Sequence, residues 1–284
     1  MRENSVKRAL RKGGVAIGTA VFEFNTTGIG LIVAQAGVDF VMFDMEHSGW
    51  STETVRMLMA TSRAADVVPI VRVPATQYHL LSRALDVGAM GLVVPTVESE
   101  AQARLIVQSA KYAPLGRRGT AFGIAHDDYQ DGDIRAKMKS ANEEQLLVAL
   151  IETEQGLQNV EMIAGVEGID VLAIGHFDLT NSMGIPGEFT HPKYLAAVDR
   201  VLDVTDRHGK AAGLAVATVE EGCSQLARGF RYLVYSVDLR IYKNALRQAV
   251  SAIRASCDAA AADTWSNERS PHPLQSQRQE GGGD

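Results

Sequence analysis

The chain has 284 residues, 46% hydrophobic and 22% charged, and its 28 Lys and Arg against 34 Asp and Glu give a net charge of −6. That apolar content excludes wholesale disorder, and an α/β barrel of ~250 residues runs as a single domain. The acidic balance argues against a general electrostatic grip on nucleic acid, no apolar run approaches the ~20 residues of a membrane span, and two cysteines cannot build a disulfide scaffold or a cysteine-rich zinc site.

Both cysteines, Cys223 and Cys257, are expected to be free thiols in a reducing cytoplasm. Arg2, Lys7, Arg8, Arg11 and Lys12 make the start of the chain basic, but no apolar stretch follows, so the segment does not read as a secretory signal. Asn4 or Ser5 is expected to cap a short helix that Gly13 and Gly14 end. Short apolar runs then recur at 15–20, 38–43, 67–73, 91–95, 146–151, 171–174, 212–216 and 232–237. Most are continuous rather than alternating, the pattern of parallel strands covered on both faces. Helical spacing fills 52–65, through Val55, Leu58, Met59 and Ala60, and returns at 99–111 and 194–208. Gly88, Gly168, Gly209 and Gly229 stand between helical segments and strands, where a left-handed cap is expected. Eight strand–helix units predict a (β/α)8 TIM barrel. A doubly wound sheet is the runner-up, weakened because no GxGxxG or P-loop sequence follows a strand. An apolar last helix over 246–260 is compatible with packing on a neighbouring copy. From about Thr264 the chain is polar and rich in Pro, Gln and Gly. The expected organisation is a single barrel domain over 1–263 and a disordered tail over 264–284.

Catalytic groups of such a barrel sit at the C-terminal ends of its strands. Those positions hold Asp44, Glu46 and His47 after strand two, Arg72 at the end of strand three and Glu152 after strand five. Strand six leads into Gly175, His176, Phe177 and Asp178, while strands seven and eight add little beyond Ser236 and Asp238. Glu152 and Asp178 are either a carboxylate pair for Mg²⁺ or Mn²⁺ or loop acids at helix starts. His47 is either a base oriented by Asp44 or Glu46, or a capping or core histidine. Arg72 closes an apolar strand, so it either binds a carboxylate or enolate oxygen or bridges to Asp44 or Asp86. The segment 116–119, Gly-Arg-Arg-Gly, reads as a turn.

With these residues in place, the chain resembles the metal-dependent class II pyruvate aldolases of the HpcH/HpaI type, in the phosphoenolpyruvate/pyruvate barrel superfamily. The resemblance runs through GVDFVMFDMEHSGW (37–50), VPIVRVP (68–74), ALDVGAMGLVVPTVES (84–99), KYAPLGRRG (111–119), LIETEQGLQN (150–159) and GVEGIDVLAIGHFDLTNSMGIPG (165–187). It implies that Glu152 and Asp178 bind a divalent ion (Mg²⁺, Mn²⁺ or Co²⁺) and that His47 is the acid/base residue. It also implies that Asp44 and Asp86 surround His47, that Arg72 stabilises an enolate, and that the N–H groups of Phe177 and Asp178, after Gly175, hold a pyruvate carboxylate. Three positions depart from the family pattern: His176 replaces a usual proline, Leu150 a frequent glutamine, and His126, in the segment 122–129, an acceptor-binding arginine. With Asp127 and Asp128 beside it, His126 is expected to read an uncharged or hydroxylated aldehyde. The implied reaction is reversible cleavage of a 4-hydroxy-2-oxo acid to pyruvate, or a close 2-oxo acid, and an aldehyde. A Schiff-base route is rejected because Lys111, Lys137 and Lys139 lie in helices or loops. The rivals are an oxaloacetate decarboxylase like macrophomate synthase, a malyl- or citramalyl-CoA type lyase, and a degenerate barrel kept for binding. The partners implied are small molecules and further copies of the chain, as a hexamer.

Overall fold

The computed structural model describes residues 2–267. Eight strands, β1 (Ala16–Val21), β2 (Phe40–Asp44), β3 (Val68–Arg72), β4 (Gly91–Val94), β5 (Leu146–Ile151), β6 (Val171–Ile174), β7 (Ala211–Val216) and β8 (Tyr232–Val237), pair in parallel in chain order. β8 pairs back to β1, closing the expected TIM barrel. The helices are α1 (Ser5–Arg11), α2 (Ile29–Gln35), α3 (Thr52–Ser62), α4 (Tyr78–Asp86), α5 (Glu100–Ala110), α6 (Ile134–Glu144), α7 (Glu154–Gln158), α8 (Val160–Ala164), α9 (His176–Ser182), α10 (Pro192–Arg207), α11 (Val219–Arg228) and α12 (Asp238–Asn267). Asn4 caps α1 by accepting from the Lys7 N–H, and Ser51, Ser99, Asp133, Thr153 and Thr218 cap later helices in the same way. The four glycines expected as left-handed caps all have positive φ.

The continuous apolar runs divide by parity. Val41, Phe43, Leu147, Ala149 and Ile151 face the helices, whereas Phe40, Met42, Leu146, Val148 and Leu150 fill the barrel. The small residues Ala16, Gly18 and Ala20 of β1 leave room inside for Phe40 and Tyr232, which stack at 4.5 Å. A Cβ at Gly18 would stand 2.4 Å from the Phe40 ring, so this strand position admits only glycine. Such a stack adds about 0.5–1.5 kcal/mol beyond its buried area.

The chain divides into two compact units, Met1–Leu239 and Arg240–Asp284, and the whole barrel lies in the first. The division falls before the expected boundary at 263/264. α12 continues through Thr264 to Asn267; of the expected tail, 268–284 lies outside the described residues. Among the described residues no helix is long and apolar enough to cross a membrane.

α1 stoppers the N-terminal end of the barrel. Its Val6 and Leu10 join the inner cluster, and the Asn4 amide donates to the Met90 carbonyl at 2.9 Å. Two buried lysines lie here. Lys7 Nζ donates to the Gln145 carbonyl at 2.5 Å and meets Asp170 at 2.8 Å; Lys111 Nζ donates to the carbonyls of Asn142 and Gln145 at 2.7 and 3.0 Å. Burial, and after it the Lys7 charge, holds Lys111 well below the ordinary lysine range. Folded Lys111 therefore binds fewer protons than unfolded Lys111 between its lowered pKa and 10.5. Its contribution to stability is complete above the unfolded value and is lost as pH falls through that interval, at up to ~1.4 kcal/mol per pH unit. The melting temperature is expected to rise as pH climbs toward 10.5, and Lys111→Met to flatten the rise. A parent profile that is level or falling there would show the ammonium to be charged in the fold.

Candidate active site

Asp44, the last residue of β2, is fully buried. Its carboxylate accepts from the backbone N–H groups of Glu46 (3.3 Å) and His47 (2.8 Å) and from Arg72 Nε (2.5 Å). The register of the parallel ladder sets Asp44 opposite Arg72, so β2 and β3 deliver the pair together. Arg72 Nη1 lies 3.2 Å from Glu46 Oε2, and the guanidinium covers the Phe22 ring at 5.3 Å. Of the two partners open to Arg72 on sequence grounds, Asp44 is the one it meets. The His47 side chain is 55% exposed and its Nε2 stands 3.8 Å from Glu46. Asp44 thus orients the His47 backbone, while the imidazole faces solvent with Glu46 as its acidic neighbour. Burial pushes the Glu46 carboxyl up; Arg72 pulls it down and Glu152 pushes it up.

Glu152, just past β5, is 4% exposed. Its Oε1 accepts from the Thr96 N–H at 2.5 Å and from Thr96 Oγ1 at 3.0 Å. Thr96 reaches it with φ of 51°, a conformation that costs a β-branched residue about 1–3 kcal/mol. Oε2 lies against Gly175, where a Cβ would come within 2.3 Å. Gly175 precedes α9, whose first turn carries Asp178. The first bond of α9 runs from the Leu179 N–H to the Gly175 carbonyl, which leaves the N–H groups of Phe177 and Asp178 outside the helical ladder. Burial raises the Glu152 carboxyl most, the two Thr96 bonds lower it, and Asp178 raises it again. A buried acid held by donors and repelled by a second acid suits a hard cation. Mg²⁺ needs one or two carboxylates and completes its shell with water and substrate oxygens. Among the described residues no three-ligand His, Cys, Asp or Glu cluster occurs; Glu152 and Asp178 would supply two oxygen ligands. His176 packs on Phe177 and Phe189 at 4.5 and 5.1 Å, and Leu150 is part of the barrel interior.

Two expected residues do not join this group. Asp86 is the last residue of α4 and pairs with Arg118 at 2.6 Å. A helix that follows a strand runs back to the other end of the barrel, which puts Asp86 far from His47. The same geometry separates His126 from the mouth of its own chain. The segment 111–133 follows α5 rather than β4, and its His126 is 3% exposed, in a crevice with Ala89, Met90, Glu144 and Gln145. Its Nε2 bonds the Ala121 carbonyl at 2.7 Å, and burial lowers its pKa. Asp127 is committed to Lys137 and the Gly123 N–H, and Asp128 to Arg63. Within one chain this segment has no access to the acids at the mouth. Lys111 and Lys137, rejected as Schiff-base lysines, are engaged here as well. The turn expected at 116–119 falls instead at 113–115, and the segment 116–119 runs on from it with the Arg118 N–H on the Lys111 carbonyl at 2.9 Å.

Two residues of the mouth, Thr96 and Phe22, have no role assigned from the sequence; their only signal is their places just past β4 and β1. Glu46, offered there only as a neighbour of His47, also meets Arg72.

A parallel barrel with buried acids and an acid-clamped arginine at the C-terminal mouth defines an enzyme of small-molecule chemistry. The HpcH/HpaI aldolase/citrate lyase family matches residues 26–259, and the chain belongs to it. Among relatives, a hydroxypyruvate/pyruvate aldolase of Roseobacter denitrificans is 31% identical over 245 residues, covering 85% of this chain and 93% of its own. A 2-keto-3-deoxy-L-rhamnonate aldolase of Escherichia coli is 31% identical over 257 residues, covering 89% and 94%. The crystal structure of an HpcH/HpaI aldolase from Desulfitobacterium hafniense superimposes with a TM-score of 0.84 at 29% identity, covering 87% of this chain and 96% of its own. The chain is a carbon–carbon lyase.

Proposed function

We propose that the protein is a divalent-metal-dependent aldolase that reversibly cleaves a 4-hydroxy-2-oxo acid to an aldehyde and pyruvate, or a close 2-oxo acid such as hydroxypyruvate. The observation that carries this reading is the buried Glu152, set against Gly175 and coupled to Asp178 at the mouth that also holds Arg72 and His47. Glu152 and Asp178 would hold Mg²⁺, Mn²⁺ or Co²⁺, and a bound ion supplies Lewis-acid polarisation of the 2-oxo group, worth several kcal/mol. The N–H groups of Phe177 and Asp178 receive the substrate carboxylate at a helix start. His47 takes the proton of the 4-hydroxyl as the C3–C4 bond breaks; the bonding pair stays with C3 and becomes the enolate. Negative charge then grows on the C2 oxygen. Arg72 uses Nε on Asp44 and Nη1 toward Glu46, and Nη2 remains to donate to that oxygen.

The test offers pyruvate or hydroxypyruvate with a panel of aldehydes to protein stripped with EDTA and reloaded with each metal. Aldol product that depends on the added ion is expected. Loss of oxaloacetate with no aldol product from any pair would make the enzyme a decarboxylase instead.

Arg72→Lys keeps the charge and loses the planar fork, so kcat should fall about 10- to 100-fold. The loss should appear in aldol cleavage and in oxaloacetate decarboxylation alike, since both pass through the enolate. A fall confined to the melting temperature would leave Arg72 as a salt-bridge partner only.

The exposed apolar side chains Leu246, Val250 and Ile253 of α12 support assembly into a homo-oligomer, a hexamer by the resemblance, which sedimentation would measure. Exposed, unbridged Cys223 and Cys257 are in keeping with a cytoplasmic enzyme.

A further inference from the structure

Asp238, the first residue of α12, is 8% exposed. Its carboxylate accepts from three consecutive backbone N–H groups: Phe22 on Oδ1 at 3.1 Å, and Glu23 and Phe24 on Oδ2 at 2.9 and 2.7 Å. These are the first three residues beyond β1, where the strand ladder no longer uses them. Successive N–H groups aimed at one point form an anion nest, and here a side chain of the chain itself fills it. The seam between β1 and β8 is shaped for this. Its register shifts between Gly18 and Ala20, Thr19 Oγ1 donates to the Tyr235 carbonyl at 2.9 Å, and Ser236 takes a φ of 53°. The irregularity ends one residue short of Asp238.

The first member of the nest carries the ring that lies against Arg72, 5.3 Å from Cζ to the centroid. Asp44 accepts from Nε and Glu46 lies 3.2 Å from Nη1, and these two contacts do not fix the tilt of the guanidinium plane about the line between them. A ring pressed on one face removes that freedom. We propose that Asp238 is a positioning residue for Arg72, acting through the Phe22 ring. The inference rests on the reading of Arg72 as the group that holds the enolate oxygen.

Two variants test it in the metal-loaded enzyme. Asp238→Asn keeps the shape but loses the charge and turns an amide toward the nest. Phe22→Leu keeps apolar bulk and removes the ring, and it serves if Asp238→Asn fails to fold. Each should lower kcat about tenfold, as a misaimed group does, with KM for the 2-oxo acid within about threefold. The deciding measurement repeats both substitutions in Arg72→Lys, which has no planar group to position. There each should cost less than about twofold, because residues acting through one another are non-additive. Equal losses in both backgrounds would reveal a general defect and overturn the proposal, as would a Phe22→Leu enzyme with parental kcat. If Arg72→Lys alone leaves kcat intact, the enolate assignment falls and takes this inference with it. If Arg72→Lys is impaired while both variants are not, only the positioning role falls.

Discussion

Glu152→Gln or Asp178→Asn is expected to abolish divalent-ion binding and to reduce aldol cleavage below detection. Each replacement removes one anionic ligand from the pair. Glu152 has a second reason for sensitivity. Its carboxylate accepts two bonds from Thr96 and is wedged against Gly175, so a Gln amide would present a donor where only acceptors fit. Titration of the stripped protein with Mn²⁺, followed by electron paramagnetic resonance, reads binding independently of turnover. Parental activity in the presence of EDTA, or unaltered Mn²⁺ affinity in both variants, would remove the pair from the chemistry.

His47→Ala should lower turnover about 10²- to 10⁴-fold, the usual worth of a general base. Folding should be untouched, because the side chain is more than half exposed and the bond that matters locally comes from its backbone to Asp44. Circular dichroism and the melting temperature check the fold, and aldol turnover and proton exchange at C3 of pyruvate check the chemistry. Turnover within about tenfold of the parent would assign the proton to another group.

The two predictions rest on parts of the structure that were legible to different degrees. Most of the eight strands follow from continuous apolar runs, because a strand buried on both faces has no polar side to show. Asp44, Arg72, Glu152 and Asp178 were legible for the same reason: a charge at the end of such a run must be paired or used. Thr96 was not, since its contribution depends on a left-handed backbone that neither its residue type nor its neighbours announce. Asp86 and His126 were carried over by motif alone. Asp86 ends a helical stretch, and the alternation of strand and helix already returns such a residue to the opposite end of the barrel. The side chain of His47 shows a further limit. Proximity to Asp44 in sequence suggested an imidazole–carboxylate bond, but the tight turn after β2 spends that carboxylate on backbone N–H groups and on Arg72.

The stopper formed by α1 has a consequence for the order of events in turnover. With Val6 and Leu10 among the inner side chains and Asn4 tied to Met90, the N-terminal end of the barrel is closed, so access falls to the opposite mouth. On the proposed reading the 2-oxo acid would take the inner berth beside Glu152 and the start of α9, and the aldehyde the outer one. In the synthetic direction the acid would then arrive first and the aldehyde second, and in cleavage the aldehyde would depart before the acid. Traffic would be last in, first out. Product inhibition should reflect it, with the 2-oxo acid competing directly against the aldol and the aldehyde acting only on enzyme already carrying its first guest.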